Sequence, residues 1–425
     1  MTAQIDFQGI LSHFSRSQHL SAAELRRLQQ MNLLAVLRSA AGHVPLYRDL
    51  YASRGISIDQ IGDADALWRL PAVLKKDYLE AGRDRYVDER CDPDQLRRRT
   101  TSGSLGHSLP IYTNSAEAMR LWASLWAAWI GLGIGREDRL FMMSAGYLER
   151  PLPPIRSTFI PVQMPMDETI EQFRQLAPTA VIGSVESIAL LAVELRRRDV
   201  PERSGVRRVF PFGQTLSHQL RGMIESGFPA VIFNLYGATE TNWIGQECEA
   251  HDGLHVNVDR VIVQVAKMGR PDEPAAPGEL GEVIVTSLLR RSTPFIRYRL
   301  EDAAAIDPSP CRCGRQTPRL KSLEGRVQDF LISTTGDWVA PGVVAIDLSA
   351  GQDAILDHRV VQEEPRRVRV SIVPGTTFAT SDYERIEQVM RRHLGDVSVV
   401  TELVDEIPRE PSGKRRRIFR AFSLE

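Results

Sequence analysis

A chain of 425 residues is too long for one compact core and suggests two or three domains of about 150 residues each. Its 43% hydrophobic and 25% charged residues exclude a disordered or fibrous chain, and a formal charge of −1 argues against a nucleic-acid binder, the run Lys414-Arg415-Arg416-Arg417 being too short to change that. No apolar run is long enough to cross a bilayer, the first thirty residues lack a signal peptide's apolar stretch, and Cys91, Cys248, Cys311 and Cys313 are too few for a disulfide scaffold, so the expectation is a cytoplasmic protein without membrane partners.

In chain order, apolar spacing predicts helices over Leu25–Ala41 and Ala116–Leu132, the second placing Trp122, Trp126 and Trp129 near one face. Between them Arg99-Thr100-Thr101-Ser102-Gly103-Ser104-Leu105-Gly106-His107-Ser108 is rich in hydroxyls and glycine. Such a stretch can bring backbone N–H groups and hydroxyls to a triphosphate, or be an ordinary polar loop; it is not the G-x4-G-K-[ST] pattern. Strand-like runs at Arg139–Met143, Ala180–Gly183, Val209–Phe212 and Ala230–Phe233 then alternate with helical stretches such as Glu186–Arg197, the pattern of a parallel α/β sheet. From Arg260 onward, strand pairs including Glu282–Thr286 suggest a β-rich subdomain. A separate α+β unit fills the last hundred residues, with strands over Arg367–Val373 and Val397–Leu403 and a helix over Asp382–His393.

Four further segments carry chemistry. Asn234-Leu235-Tyr236-Gly237-Ala238-Thr239-Glu240-Thr241 supplies an aromatic face, a close-approach glycine, a hydroxyl and a carboxylate, the parts that stack a base, touch a phosphate and hold Mg²⁺; a plain strand-end turn is the alternative. Arg297-Tyr298-Arg299-Leu300-Glu301-Asp302 offers Asp302 as an acceptor for ribose hydroxyls, or simply an ion-paired strand end. Gly325-Arg326-Val327-Gln328-Asp329 lies at the change of pattern and reads as a hinge. Finally, Pro408-Arg409-Glu410-Pro411-Ser412-Gly413-Lys414 puts a lysine on a Ser-Gly turn, where it either serves a phosphoryl transition state or belongs to a solvated tail. Lysine occurs at only five positions, 75, 76, 267, 321 and 414, among 53 basic residues, which sharpens interest in Lys414.

Taken in order, these five segments resemble the adenylate-forming superfamily of acyl-CoA synthetases, peptide-synthetase adenylation domains and luciferases, over nearly the whole chain. The resemblance implies an α/β fold: a large N-terminal domain of parallel α/β layers with a β-rich subdomain, residues 1–325, and a small mobile α+β C-terminal domain, residues 326–425. It implies that Thr101, Ser102, Gly103, Ser104 and Gly106 bind the β- and γ-phosphates, that Tyr236 stacks on adenine with Gly237 among the cofactor-binding residues, that Thr239 contacts the α-phosphate and that Glu240 holds Mg²⁺. Asp302 then matches the ribose-binding aspartate, Arg326 the arginine at the domain junction and Lys414 the catalytic lysine of adenylation.

Within the superfamily the chain is most similar to phenylacetate-CoA ligases and their capsular-polysaccharide relatives, through Val44-Pro45-Leu46-Tyr47-Arg48, Leu70–Asp77, Glu247-Cys248-Glu249, Gly253-Leu254-His255 and Cys311-Arg312-Cys313-Gly314-Arg315. Phe212-Gly213-Gln214-Thr215-Leu216 resembles their loop beside adenine, which adds Gly213 and Gln214 to the nucleotide contacts. Cys248, Cys311 and Cys313 with His255 or His251 supply the Cys3His composition of a closed zinc site, His255 being favoured because the Gly-Leu-His resemblance covers it; unliganded thiols are the other reading. The acid is expected between the helix starting near Ser184 and the strand end at Tyr236, against Tyr147, Ser184, Gly237, Ala238 and Trp243, and an aromatic acid is favoured.

The sequence departs from the superfamily where His107 replaces the usual lysine, where Gln328 occupies the hinge position, and where Ser333-Thr334-Thr335-Gly336-Asp337-Trp338-Val339-Ala340-Pro341 replaces a glycine-containing segment that lines the pantetheine tunnel. The expectation is therefore ATP- and Mg²⁺-dependent adenylation of a small acid and transfer to CoA. The alternative passes an activated carboxylate or nitrite to an amine or a carrier-protein thiol.

Overall fold

The computed structural model describes residues 7–17, 19–101, 108–144, 155–349, 354–408 and 416–422. Helix Ala22–His43 starts from a capping box in which the Ser21 hydroxyl accepts the Glu24 N–H and the Glu24 carboxylate accepts the Ser21 N–H. Helix Ser115–Gly131 is capped by Asn114, whose Oδ1 accepts the Glu117 N–H at 2.9 Å. Trp126 and Trp129 on it are buried, as their spacing predicts, and Trp122 is half-buried.

Among the described residues, thirteen strands form one sheet. Arg139–Ser144 pairs in parallel with Arg156–Pro161 on one side and Ala180–Ser184 on the other, and Arg208–Phe212 and Leu235–Ala238 extend the parallel part. The inner strands are buried almost residue by residue, with separate apolar cores on the two faces, one around Phe173, Leu191 and Ile224 and one around Trp126, Trp129 and Phe210.

The β-rich part is a continuation of this sheet: Leu235–Ala238 turns back into Asn242–Glu247, and antiparallel pairing runs on through Leu254–Val256, Arg319–Arg326, Tyr298–Asp307, Leu280–Ser287 and Val261–Lys267. The run expected over Ala230–Phe233 is a strand at Val231–Ile232; the Phe233 N–H still donates to the Val209 carbonyl at 2.9 Å, and the one after it, of Asn234, turns to the Glu247 carboxylate at 3.0 Å.

The last unit is a second sheet in the order Ser398–Leu403, Arg367–Pro374, Ile355–Glu364, Ile418–Arg420, packed with helices Pro341–Ser349 and Thr380–Leu394. Its core, which includes Val344, Val360, Val370, Ile386 and Met390, contains no residue before Leu331 among those described. A small cluster of Ala303, Val327 and Phe330, with Trp338 against it, joins the two units.

Candidate active site

The strand Leu235–Ala238 delivers the Tyr-Gly-Ala-Thr-Glu motif to the point where the parallel part of the sheet meets the antiparallel part. Glycine is required at position 237, where a Cβ would lie 2.6 Å from the Trp243 ring and 2.7 Å from the Asn242 carbonyl oxygen. The Tyr236 hydroxyl donates to Asp302 Oδ2 at 2.7 Å, and Arg326 Nε meets Asp302 Oδ1 at 3.0 Å. Register explains the second contact, since Asp302 and Arg326 are directly paired across antiparallel strands. Arg326 Nη1 also donates to the Leu300 carbonyl at 2.9 Å, and Glu301 between them holds a left-handed φ of 59°, so the turn presenting Asp302 is strained. Three motifs far apart in the chain thus converge on one carboxylate.

Glu240 is nearly buried and accepts a hydrogen bond from the Tyr298 hydroxyl at 3.0 Å. Burial and then the neighbouring carboxylates push the Tyr236 and Tyr298 phenols well above the ordinary range, so both remain donors. Asp302 beside it raises the Arg326 guanidinium further. Lys75 belongs to the same field: burial pulls its ammonium down, and Glu240, Arg326 and Glu301 are the charges it feels. It arrives there because Val73 forms a parallel bridge to Tyr298, the Val73 N–H donating to the Arg297 carbonyl and the Arg299 N–H to the Val73 carbonyl, both at 2.9 Å. Sequence reasoning assigned no role to Lys75 or Tyr298; the scarcity of lysine and the tyrosine's place in the Asp302 run were the signals present.

Thr101 closes the base of the hydroxyl-rich hairpin, its N–H donating to the Leu109 carbonyl at 3.0 Å and its Oγ1 accepting the Leu109 N–H at 2.9 Å. Ser102, Gly103, Ser104, Gly106, Tyr147 and Lys414 lie outside the described residues. Gly213 takes a left-handed φ of 79°, and Gln214 Oε1 accepts the Glu186 N–H at 3.1 Å, tying that loop to the start of helix Val185–Arg197. The Ser184 hydroxyl caps the same helix and bonds Ser187 Oγ at 2.6 Å. Ala238 is half-buried, and Trp243 packs edge-on against Phe212 at 5.3 Å, forming an aromatic wall beside the motif.

Around the strand Leu254–Val256, Cys248, His255, Cys311 and Cys313 bring their ligand atoms within 4.8 Å of one another. Tetrahedral zinc at about 2.3 Å from sulfur and 2.0–2.1 Å from nitrogen spaces two sulfurs by about 3.8 Å and a sulfur and a nitrogen by about 3.5 Å. The Cys248–Cys311 sulfur separation is 3.8 Å and Cys313 Sγ lies 3.3 Å from His255 Nε2. Thr317 Oγ1, 2.9 Å from His255 Nδ1, orients the ring in the manner of an outer ligand partner. His251 stands apart, 3.3 Å from Glu247 and stacked on Phe233.

Tyr236, Asp302 and Arg326 are thus gathered beside the buried Glu240 on an α/β frame, the grouping that the resemblance to adenylate-forming enzymes leads one to expect. Residues 331–421 match the family model of the CapK C-terminal domain. Over 441 residues the chain is 25% identical to a phenylacetate-coenzyme A ligase of Thermus thermophilus, covering 94% of this chain and 97% of that one. It is 21% identical over 424 residues to Protein CapK of Staphylococcus aureus, covering 92% and 90%. The crystal structure of 2-hydroxyisobutyryl-CoA ligase in the postadenylation state with 2-HIB-AMP superimposes with a TM-score of 0.79 at 20% identity, over 95% of this chain and 91% of that one, and so shares the fold. The chain is thus similar over nearly its whole length to phenylacetate-CoA ligases and to CapK, and it shares the fold of a CoA ligase.

Proposed function

We propose that the chain is an ATP-dependent, AMP-forming ligase that adenylates a small carboxylic acid and passes the acyl group to CoA. The observation that carries this reading is the convergence of Tyr236 and Arg326 on Asp302 with Glu240 alongside. A carboxylate of the acid attacks the α-phosphorus of ATP and expels pyrophosphate; the CoA sulfur then attacks the acyl carbon and expels AMP. Asp302 accepts from the ribose hydroxyls, Tyr236 presents its ring to adenine and Thr239 faces the α-phosphate. Gly213 and Gln214 flank the base, while Thr101 and the hairpin tip take the outer phosphates. A magnesium ion on Glu240 supplies charge neutralisation for the phosphates when bound. Lys414 on the last unit stabilises charge at the reacting phosphoryl group.

The division at residues 325 and 326 is supported by the separate core that begins at Leu331, and by Arg326 sitting where the large sheet ends. Spacing supports a structural zinc on Cys248, His255, Cys311 and Cys313 that braces the end of the antiparallel strands. An aromatic acid is favoured by the Phe212 and Trp243 rings beside Ala238. One observation favours a second reading, in which an amine or carrier-protein thiol replaces CoA and nitrite is among the acids. The segment after Gln328 is a closed polar turn, with the Ser333 N–H on the Asp337 carbonyl at 2.9 Å and the Asp337 N–H on Ser333 Oγ at 3.0 Å.

The test is a screen of aryl and alkyl acids and nitrite for ATP-dependent pyrophosphate release, followed by AMP release with CoA or amines. Acid-dependent pyrophosphate release without CoA, and AMP release only with it, is the expected result. Folded, ATP-binding protein that releases no pyrophosphate with any acid would sink the reading.

A further inference from the structure

Two buried phenols donate to the carboxylates of the candidate site, Tyr236 to Asp302 and Tyr298 to Glu240, and the reaction proposed above uses only the first. The second is fixed on several sides. Tyr298 is 3% exposed, and its ring lies edge-on to Phe295 at 5.0 Å and to Tyr78 at 5.6 Å. Val73 clamps its backbone by bonding the residues on either side of it. Arg297, the residue before it, holds a left-handed φ of 46°, with its buried guanidinium donating to the Trp68 and Pro271 carbonyls at 3.3 and 2.5 Å. Glu301 holds the same kind of conformation before Asp302. Each of the two residues is thus aimed by a strained neighbour, and such strain persists where the surroundings over-determine it.

Other phenols of the same cluster show what a structural hydroxyl does here. Tyr78 donates to the Pro294 carbonyl at 2.9 Å, and Tyr47 accepts the Ile296 N–H at 2.8 Å while its hydroxyl meets that of Tyr78. Both fix the backbone of the run that leads to Tyr298. The Tyr298 hydroxyl instead donates to Glu240 Oε1 at 3.0 Å, and burial keeps it protonated. Glu240 stands on a turn closed by the Thr241 N–H on the Ala238 carbonyl at 3.2 Å. The terminal torsion of a glutamate is broad, so the turn by itself does not fix the plane of the carboxylate. Mg²⁺ takes hard oxygen ligands, as a rule one or two carboxylates with phosphate and water completing the shell, and the single carboxylate of Glu240 fits that share.

We propose that Tyr298 is a positioning residue for the metal carboxylate: its hydroxyl fixes the plane of Glu240, so that the carboxylate meets a magnesium–nucleotide complex in one orientation. The proposal rests on the assignment of Mg²⁺ to Glu240 made above. Without the hydroxyl the carboxylate keeps its charge and samples several orientations, and the metal's contribution to nucleotide binding falls.

The test is calorimetric titration of the full chain with ATP, in the absence of acid, once in EDTA and once in excess Mg²⁺. The ratio of the two Kd values reads the gain from the metal. Three variants accompany the wild type: Tyr298→Phe, which removes one hydroxyl and keeps the ring against Tyr78 and Phe295; Tyr78→Phe, which removes a hydroxyl of the same cluster that bonds backbone; and Glu240→Gln. The gain is expected in the wild type and in Tyr78→Phe, whose melting temperature falls, and is lost in Glu240→Gln. In Tyr298→Phe it drops about tenfold, as for loss of one hydrogen bond to a charged group. The proposal is overturned if folded Tyr298→Phe keeps the wild-type gain within twofold, if its two Kd values rise together, or if Tyr78→Phe loses the gain as well. A wild type that shows no gain, or a Glu240→Gln protein that keeps it, overturns the metal assignment and the proposal with it.

Discussion

Replacing Asp302 with alanine tests the cradle most directly. An ionised carboxylate has roughly four lone-pair sites. The Tyr236 hydroxyl uses one on Oδ2 and Arg326 Nε one on Oδ1, so each oxygen keeps one acceptor for the two hydroxyls of a ribose. Hydrogen bonds to a charged group contribute about 1.5–3 kcal/mol each. Losing the equivalent of one such bond raises the Kd for ATP by about 10- to 150-fold. The cost in stability is about 1–3 kcal/mol, set by the buried Tyr236 hydroxyl that loses its acceptor, since the Arg326 side chain is 44% exposed and water takes over its solvation. Calorimetric titration with ATP in the absence of acid, beside a melting curve, separates the two effects. Asp302→Asn keeps one acceptor oxygen and falls between wild type and alanine. A folded Asp302→Ala protein whose ATP affinity stays within about twofold of wild type would refute the assignment of ribose to this carboxylate.

Lys414→Ala lowers acid-dependent pyrophosphate release by about 10²- to 10³-fold in single turnover while ATP binding persists, the loss expected for one group acting on transition-state charge. Lys75→Met raises the KM for ATP by about tenfold or less, since a charged contact to an exposed phosphate is partly screened; an unchanged KM places the ammonium outside the nucleotide's reach. Cys311→Ser reduces bound zinc from about one per chain toward none and lowers the melting temperature, read by elemental analysis and calorimetry, and equal zinc in both proteins refutes the metal set. Burial holds the His358 imidazole below its ordinary value of about 6.5, so the unfolded chain takes up the proton first. Stability of the last unit is therefore full above about pH 6.5 and falls as pH drops through the lowered folded value; melting scans of His358→Phe show a flatter acid limb.

The parts of this site that could be read from sequence are contiguous. Tyr236 to Glu240 carry their chemistry within five positions, and Asp302 and Arg326 each lie in a short run with its own pattern. The alternation of strands and helices was legible for the same reason, because short apolar runs and helical apolar spacing are local signals. What was not legible depends on register between distant segments. Lys75 comes into the electrostatic field of Glu240 only because Val73 bridges Tyr298, and nothing in either run announces that pairing. The β-rich part was expected as a subdomain of its own, and it continues the main sheet because Asn242 adopts a left-handed φ of 64° and folds its strand back beside Leu235–Ala238. Arg290 sits among ordinary basic residues in the sequence, and its burial against Thr113 and Thr239 follows from packing alone.

The segment after Gln328 is where the sequence departs from the CoA-ligase pattern, and its contacts make the acceptor testable. Thr334 donates its N–H to the Leu394 carbonyl at 2.8 Å, which ties the Ser333–Asp337 turn to the end of helix Thr380–Leu394. Gly395 beside it has a left-handed φ of 83°, and a Cβ there would meet Thr334 Oγ1 at 2.2 Å, so the chain accepts only glycine at this contact. The turn is therefore built into the last unit and travels with it. On the other side, Trp338 packs against Phe330 and under the Arg420 guanidinium at 4.8 Å, which fixes the strand that follows the turn. If the proposed acceptor approaches past this unit, it meets a hydroxyl-bearing turn closed on itself by Ser333 and Asp337. Loosening that turn with Thr334→Gly, which removes the contact to Gly395 and keeps the backbone bond, should alter the CoA-dependent release of AMP and leave acid-dependent pyrophosphate release alone. An equal change in both half-reactions would mean that the turn acts through the stability of the whole unit and has no part in choosing the acceptor.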